Sequence, residues 1–452
     1  MFRSVCRQLT GTSILLIALT ALACGPAHGA GFALLEQGVK GMGNAYAGGA
    51  AAAEDATTVF FNPAGMSLLK GMQADAGLHV IDTSFKFDDA GSTHALQPLT
   101  GQGLTGGDGG NGGTRESVPN LYLVRNLDNG WAFGLGINVP FGLTTDWDAG
   151  WVGRYYALKS SITTVNINPG VAFAVNRHLS IGAGISAMYM DTELSQAIDF
   201  GTIFYPLGGT PQRDDGKVTL KADDWSFGFN IGILYRFDDA TRIGASYRSR
   251  VKQQLTGHAD YDYSPEVAAM IAAGPYPGFF QDGGAKSEVT LPDTASLSIY
   301  HRVNKQLALM ADVSWTGWST MDELRITFAS QQPDSVTTLK WQDAWRIGVG
   351  ATYSVNDRFD LRCGTMYDQS PVSSAAYRTP RLPDQDRLWT NIGGSYALDG
   401  DWSVDLAYAH VFMLGDADID TSPVGENATR GGLRGSFDNS ADIFSAQINY
   451  LW

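Results

Sequence analysis

The residues able to do covalent or metal chemistry are few, and their spacing rules most of it out. Seven histidines are scattered without the short intervals of a metal-ligand set. The patterns G-x-S-x-G, H-E-x-x-H and Cys-x-x-Cys are absent. Gly101-Gln102-Gly103-Leu104-Thr105-Gly106 spells a dinucleotide-binding pattern, but no strand–turn–helix surrounds it, so it reads as a loop. Gly106 to Asn111 resembles one calcium repeat, and one copy is not an array. A barrel phospholipase would need a Ser–His pair, and no pattern points to one. Neither an enzyme, a cofactor nor a metal is expected. Ile203, Phe204, Tyr205 and Leu207 crowd one predicted loop; Val267, Met270 and Ile271 at helical spacing, then Tyr276, Phe279 and Phe280, crowd another. Exposed apolar clusters mark a binding surface or a loop packed on its neighbour.

Strands must position those loops. From Trp225 to Phe237 every second residue is large and apolar, ending in aromatics, while Ser226, Gly228, Asn230 and Gly232 alternate with them. Successive strand side chains face opposite ways, so this is a strand greasy on one side with rings at two lipid–water interfaces. Val165, Ile167, Val171 and Phe173 repeat the pattern, as do Leu179 to Ile185 against Ser180, Gly182, Gly184 and Ser186, and Phe444 to Trp452. Alternation and turn chemistry predict fourteen strands: 72–88, 117–125, 130–141, 160–176, 178–196, 218–237, 241–256, 287–303, 306–330, 337–356, 357–370, 387–398, 402–416 and 440–452. Short Asn-, Asp- and Gly-bearing turns, such as Asn126–Gly130 and Asp238–Thr241, alternate with long loops at 89–116, 142–159, 197–217, 257–286, the 320s to 330s, 371–386 and 417–439. An even strand number with that alternation predicts an all-β fold, a 14-stranded antiparallel transmembrane β-barrel. Half of each such strand faces a polar lumen, which accounts for a mean hydropathy of −0.10.

Residues 1–29 read as a cleaved secretory leader, with Arg3 and Arg7, an apolar run from Ile14 to Ala23, and cleavage before Ala30. Cys6 and Cys24 leave with it, and Cys363 reads as a small strand residue. The formal charge of −15 argues against nucleic acid. Residues 30–71 are not strand-like; rich in Gly and Ala, with a short helix expected around Gly48–Asp55, they pack inside the barrel or form a periplasmic extension. The barrel proper is 72–452.

Ordered motifs then point to a family. Ala30-Gly31-Phe32, Gly41-Met42-Gly43-Asn44-Ala45-Tyr46-Ala47-Gly48-Gly49, Asp55-Ala56 and Asn62-Pro63-Ala64-Gly65-Met66 resemble the N-terminal hatch of the FadL family. The likeness continues in Trp151-Val152-Gly153-Arg154-Tyr155-Tyr156, Asn168-Pro169, Leu291-Pro292, Asp312 with Trp315-Thr316-Gly317-Trp318, and Trp341-Gln342-Asp343. It ends in Tyr367 to Val372, Leu382-Pro383-Asp384 with Arg387, and Tyr408-Ala409-His410. The resemblance implies a passive outer-membrane uptake channel of a Gram-negative bacterium for long-chain fatty acids or other hydrophobic compounds. It implies a 30–71 hatch plugging the lumen, capture in a groove between the third and fourth extracellular loops, and transfer to a pocket above the hatch. Release is then sideways into the membrane, near a kink of the third strand.

On that basis the loop residues Ile203, Phe204, Tyr205, Leu207, Met270, Ile271, Tyr276, Phe279 and Phe280 are the groove candidates. In the hatch, Phe32, Leu34 and Leu35 face the pocket or simply pack the plug. Asn62, Pro63 and Ala64 form a bend that the resemblance sets beside the third strand. Gly134, Gly136 and Pro140 are kink candidates, the glycines reading equally as small inward residues. Arg154, Lys159 and Arg346 are candidate partners for a carboxylate, each also readable as a solvated charge. Expected partners are the hydrophobic ligand, outer-membrane lipid and lipopolysaccharide, and the barrel-insertion machinery, with the chain acting as a monomer. The alternative is a general diffusion porin or adhesin on the same barrel, which should lack both the plug and the apolar loops.

Overall fold

The computed structural model describes residues 31–276 and 278–452; the expected leader, 1–29, lies outside the described residues. Fourteen antiparallel strands close into a barrel. They are β1 (Met72–Asp89), β2 (Arg115–Asn126), β3 (Trp131–Asn138 and Gly142–Asp146), β4 (Lys159–Ala174), β5 (Leu179–Asp199), β6 (Asp215–Arg236) and β7 (Thr241–Arg248 and Val251–Asp262). There follow β8 (Gly283–Leu291 and Thr294–Arg302), β9 (Leu307–Thr316 and Glu323–Phe328), β10 (Ala344–Asn356), β11 (Phe359–Asp368), β12 (Asp386–Asp399), β13 (Trp402–Leu414 and Ala417–Asp420) and β14 (Arg434–Leu451). A short strand, Ser335–Thr338, folds back on the upper half of β9. Closure runs from Gln73 opposite Leu451 to Asp89 opposite Gly435. All fourteen predicted strands are present. Several run further out than predicted: β6 begins at Asp215, β7 continues to Asp262 and β14 begins at Arg434. Above the bilayer the outward positions turn polar, so the apolar alternation stops while the hydrogen-bonded ladder goes on.

The greasy face of β6 points outward; Phe227, at its middle, is 72% exposed. Tyr189 and Trp225 pair near the long loops, and Trp402, Tyr450 and Trp452 gather at the short turns. The ten steps from Trp225 to Tyr235, at about 3.3 Å each and a tilt of about 40°, give an apolar band about 25 Å tall, a bilayer's core. No described helix is long and apolar enough to cross a membrane.

Residues 31–71 touch strands all round the ring, which places them inside it. They fold as α1 (Val39–Gly43), α2 (Gly49–Ala52), α3 (Thr58–Phe61) and a 3-10 turn at Pro63–Leu68. Asn62 caps that turn by accepting from the Ala64 N–H at 3.0 Å, with Pro63 set at the first position, where its missing N–H costs nothing. The wall holds the segment largely through polar bonds to its main chain. Arg242 reaches the carbonyls of Ala51 and Ala52, Arg248 that of Phe60, and Asn391 that of Met42. Lys40 lies 3.8 Å from Asp55 and 3.9 Å from Asp405.

Inward glycines let the two backbones approach. A Cβ on Gly244 would sit 1.8 Å from the Ala50 carbonyl oxygen, and one on Gly232 1.9 Å from Asn62 Oδ1. Gly232 is one of the small residues that alternate with large apolar ones from Trp225 to Phe237; the small size of both glycines makes room for the inner segment.

Two tests follow from this packing. Gly244→Val overpacks the contact by about 1–3 kcal/mol, and should loosen the segment and raise single-channel ion conductance in planar bilayers. Glu36 lies buried in the segment; burial pushes its carboxyl up to about 7, with Arg387 opposing and Asp368 adding to the rise. A carboxyl that holds its proton more tightly when folded stabilises the packed segment at low pH, and that contribution fades as pH climbs from 4.5 to about 7. Hydrogen-exchange protection of 31–71 should fall over that window, and Glu36→Gln should flatten the dependence.

Candidate functional site

Above the inner segment lies an apolar cavity. Inward residues of β4 to β8 build it, among them Ile162, Met190, Leu255 and Val289, together with Met321 from between the two parts of β9 and Leu339 and Trp341 from the crossing between β9 and β10. Phe32 supplies its floor, its ring 5.0 Å from Trp318, 5.9 Å from Phe141 and 6.1 Å from Trp341.

A second cavity lies against β1, β2 and β12 to β14, and Phe32, Leu143, Ile162 and Leu382 line both. Its wall includes Glu116, Ser117 and Val118 of β2 and Val139, Gly142 and Thr144 of β3. Those stretches do not pair with each other. The β2–β3 ladder ends at Leu121 opposite Ile137, and above it β3 pairs only with β4. Between Asn138–Asn166 and Gly142–Thr163, three residues of β3 face two of β4, an added residue that bends the strand. The inner segment occupies the vacated edge: Leu34 N–H donates to the Pro140 carbonyl at 2.9 Å, Gly142 N–H to that of Phe32 at 3.0 Å, and Gln37 Nε2 to that of Val139 at 2.8 Å.

Several expected site residues are placed differently. The interruption falls on Val139–Phe141, with Pro140 at its centre. Gly134 and Gly136 belong to the regular ladder and give room to Met66 and Tyr122, so they are not kink residues. Phe32 and Leu34 reach the cavities; Leu35 packs against the cluster of Val39, Met42 and Trp389. Asn62, Pro63 and Ala64 line neither cavity. Their bend packs under Gly182 and Gly232 of β5 and β6, and the turn it opens also touches β3, where Met66 meets Gly134.

The two loops do meet. Phe200, Phe204 and Val267 bury one another, with Ile203, Met270, Ile271 and Phe280 around them, so the cluster is filled by its own side chains. Tyr205, Leu207 and Tyr276 are exposed, and Phe279 stacks on Tyr276 at 5.3 Å.

None of the three candidate cations lines either cavity. Arg154 is buried on Asp215 at 3.0 Å and donates to Tyr155 and the carbonyls of Thr105 and Trp151. Lys159 faces Glu193 at 3.3 Å and Arg346 faces Asp312 at 3.6 Å. The sequence reading missed Arg381, which does line the apolar cavity. It donates to Ser160 Oγ, Gln196 Oε1 and the carbonyls of Lys159 and Ser195. No acid pairs with it among the described residues. Burial, with Arg430 nearby, pulls its guanidinium down to about 9, so it is still charged at neutral pH. The nearest sequence signal was the Leu382-Pro383-Asp384 motif beside it.

With the geometry in hand, the comparisons with known proteins agree. Residues 20–452 match the family model described as outer membrane protein transport protein (OMPP1/FadL/TodX). Outer membrane protein P1 of Haemophilus influenzae is 30% identical over 423 residues, covering 88% of this chain and 89% of that protein. The long-chain fatty acid transport protein of Escherichia coli O6:H1 is 31% identical over 416 residues, covering 88% and 91%. Among solved structures, a Pseudomonas aeruginosa FadL homologue superposes with a TM-score of 0.84 at 27% identity, covering 93% of this chain and all of that one. The Pseudomonas putida toluene transporter TodX, at 18% identity and a TM-score of 0.64, shares the fold. The chain belongs to the FadL/TodX family of outer membrane transport proteins, and the barrel is its membrane-spanning body.

Proposed function

We propose that this chain is a passive uptake channel for long-chain fatty acids, and that the apolar cavity above Phe32 is where the ligand rests. The cavity carries this reading: it is concave, and its lining is apolar apart from a few polar groups, Arg381 among them. Members of the family are transport channels rather than enzymes, and two relatives are named for fatty acid and toluene transport. An alkyl chain lies among Met190, Leu255, Val289 and Trp341, and its carboxylate meets Arg381.

Passage downward is a short step. Displacing Phe32 joins the upper cavity to the second one, which faces the interruption of β3. There the ligand leaves sideways into the outer membrane, so its apolar surface avoids a long aqueous path costing about 25 cal/mol per Å². Residues 31–71 act as the hatch in this scheme, holding the lumen shut to hydrophilic solutes. The gradient alone drives transport. The exposed loop residues Tyr205, Leu207 and Tyr276 serve first contact, residues 1–29 direct export, and the chain works as a monomer set in lipopolysaccharide and lipid after insertion by the barrel-assembly machinery.

Two measurements test this. Arg381→Gln removes one charge-assisted contact worth about 1.5–3 kcal/mol, so oleate binding should weaken about ten- to a hundredfold while toluene binding is unchanged. Deleting Pro140 removes the added residue and lets β3 rejoin its neighbour; oleate uptake should fall more than about tenfold with the barrel still folded by its heat-modifiable migration. Sugar entry as fast as oleate entry would instead mark a diffusion porin.

A further inference from the structure

The wall is interrupted a second time, between β8 and β9. Their ladder runs from Arg302–Ala308 to Thr294–Thr316, stops, and resumes only for Ser287–Ile326, Lys286–Thr327 and Ala285–Phe328. In between, Pro292 offers no N–H and Trp318–Thr320 coil into a 3-10 turn. Single contacts span the break: Gly317 N–H to the Asp293 carbonyl at 2.9 Å, Thr320 Oγ1 to that of Thr290 at 3.3 Å, and Ser287 Oγ to that of Arg325 at 2.8 Å.

On the outside, the break faces a cleft against β7 to β9. Leu255, Lys286, Ser287 and Met321 line both this cleft and the apolar cavity within. The wall there is one residue thick. Its level is set by Trp315 and Trp345, paired directly beneath on β9 and β10, and by the ion pairs Lys252–Glu288 and Arg325–Glu323 beside it. Charges above a tryptophan ring belong to the head-group layer. Of the cleft's cations, Arg325 is paired, whereas Lys286 has no ion pair among the described residues. The loop cluster overhead, meanwhile, is filled by its own side chains.

We propose that this break is a side entrance, through which a long-chain carboxylate passes from the head-group layer into the apolar cavity, its head on Lys286 while Met321 and Leu255 swing aside. This rests on the uptake reading above and adds the entry route to it. Met321 suits such movement, being unbranched and adaptable.

The test uses the full chain in intact cells, in a Cys363→Ala background, with radiolabelled oleate and toluene as probes. Ser287→Cys is coupled to a bulky water-soluble maleimide after folding; the same adduct on Asp438→Cys, exposed on β14, is the control. The expected result is oleate uptake reduced about tenfold by the Ser287 adduct and unchanged by the Asp438 adduct. A small impermeant thiol reagent should label Met321→Cys, and oleate should protect it. Unchanged oleate uptake with the Ser287 adduct in place overturns the entrance alone. An unmodified protein that moves neither oleate nor toluene overturns the uptake reading and the entrance with it.

Discussion

In lipid, a main-chain amide or carbonyl has no water to fall back on, so every strand of a spanning barrel must pair with its neighbours. This one constraint makes gaps in the ladder informative, because each must be compensated. The gap above Ile137 is closed from inside by Phe32 and Leu34, whose main chain pairs with the bent stretch of β3. The gap between β8 and β9 lies above the tryptophan level and is spanned by the hydroxyls of Ser287 and Thr320. Both gaps border the cavity system of the lumen, one at each end.

The lumen itself is neither a water-filled pore nor an ordinary apolar core. Below Phe32, contact between wall and inner segment is dominated by bare backbone against glycine and by arginines on carbonyls, as at Gly244–Ala50 and Arg242–Ala51. Above Phe32 it is methionine, leucine and tryptophan. A single phenylalanine ring thus marks the boundary between the tightly held inner segment and the apolar cavity above it.

The sequence carried the barrel well and the site only partly. Lipid-facing alternation such as Trp225 to Phe237 repeats locally, so strand number, direction and loop alternation were legible. Strand ends above the bilayer were not, since the outward residues there, among them Lys217 and Asp262, no longer contrast with the inward ones. The cavity draws its lining from single positions on many strands, so no local stretch announces it; Met190 and Val289 look like any inward residue. The candidate cations failed for a related reason. Arg154, Lys159 and Arg346 are neutralised by acids 61, 34 and 34 positions away, partners fixed by folding rather than spacing. The glycines of β3 looked like a hinge because their neighbours, Met66 and Tyr122, come from elsewhere in the chain.

The inner segment is tied to strands from both ends of the sequence. Ala56 N–H donates to Asp75 on β1, Val39 N–H to Gln447 on β14, and Arg242 of β7 reaches Ala51. Those ties exist together only once β1 has met β14. An open, half-wound sheet would leave Asp75 and Gln447 without these partners, with nothing to hold the segment in register. The seated segment and the closed seam therefore depend on each other: the inner segment is a cross-brace over the join between the first and last strands.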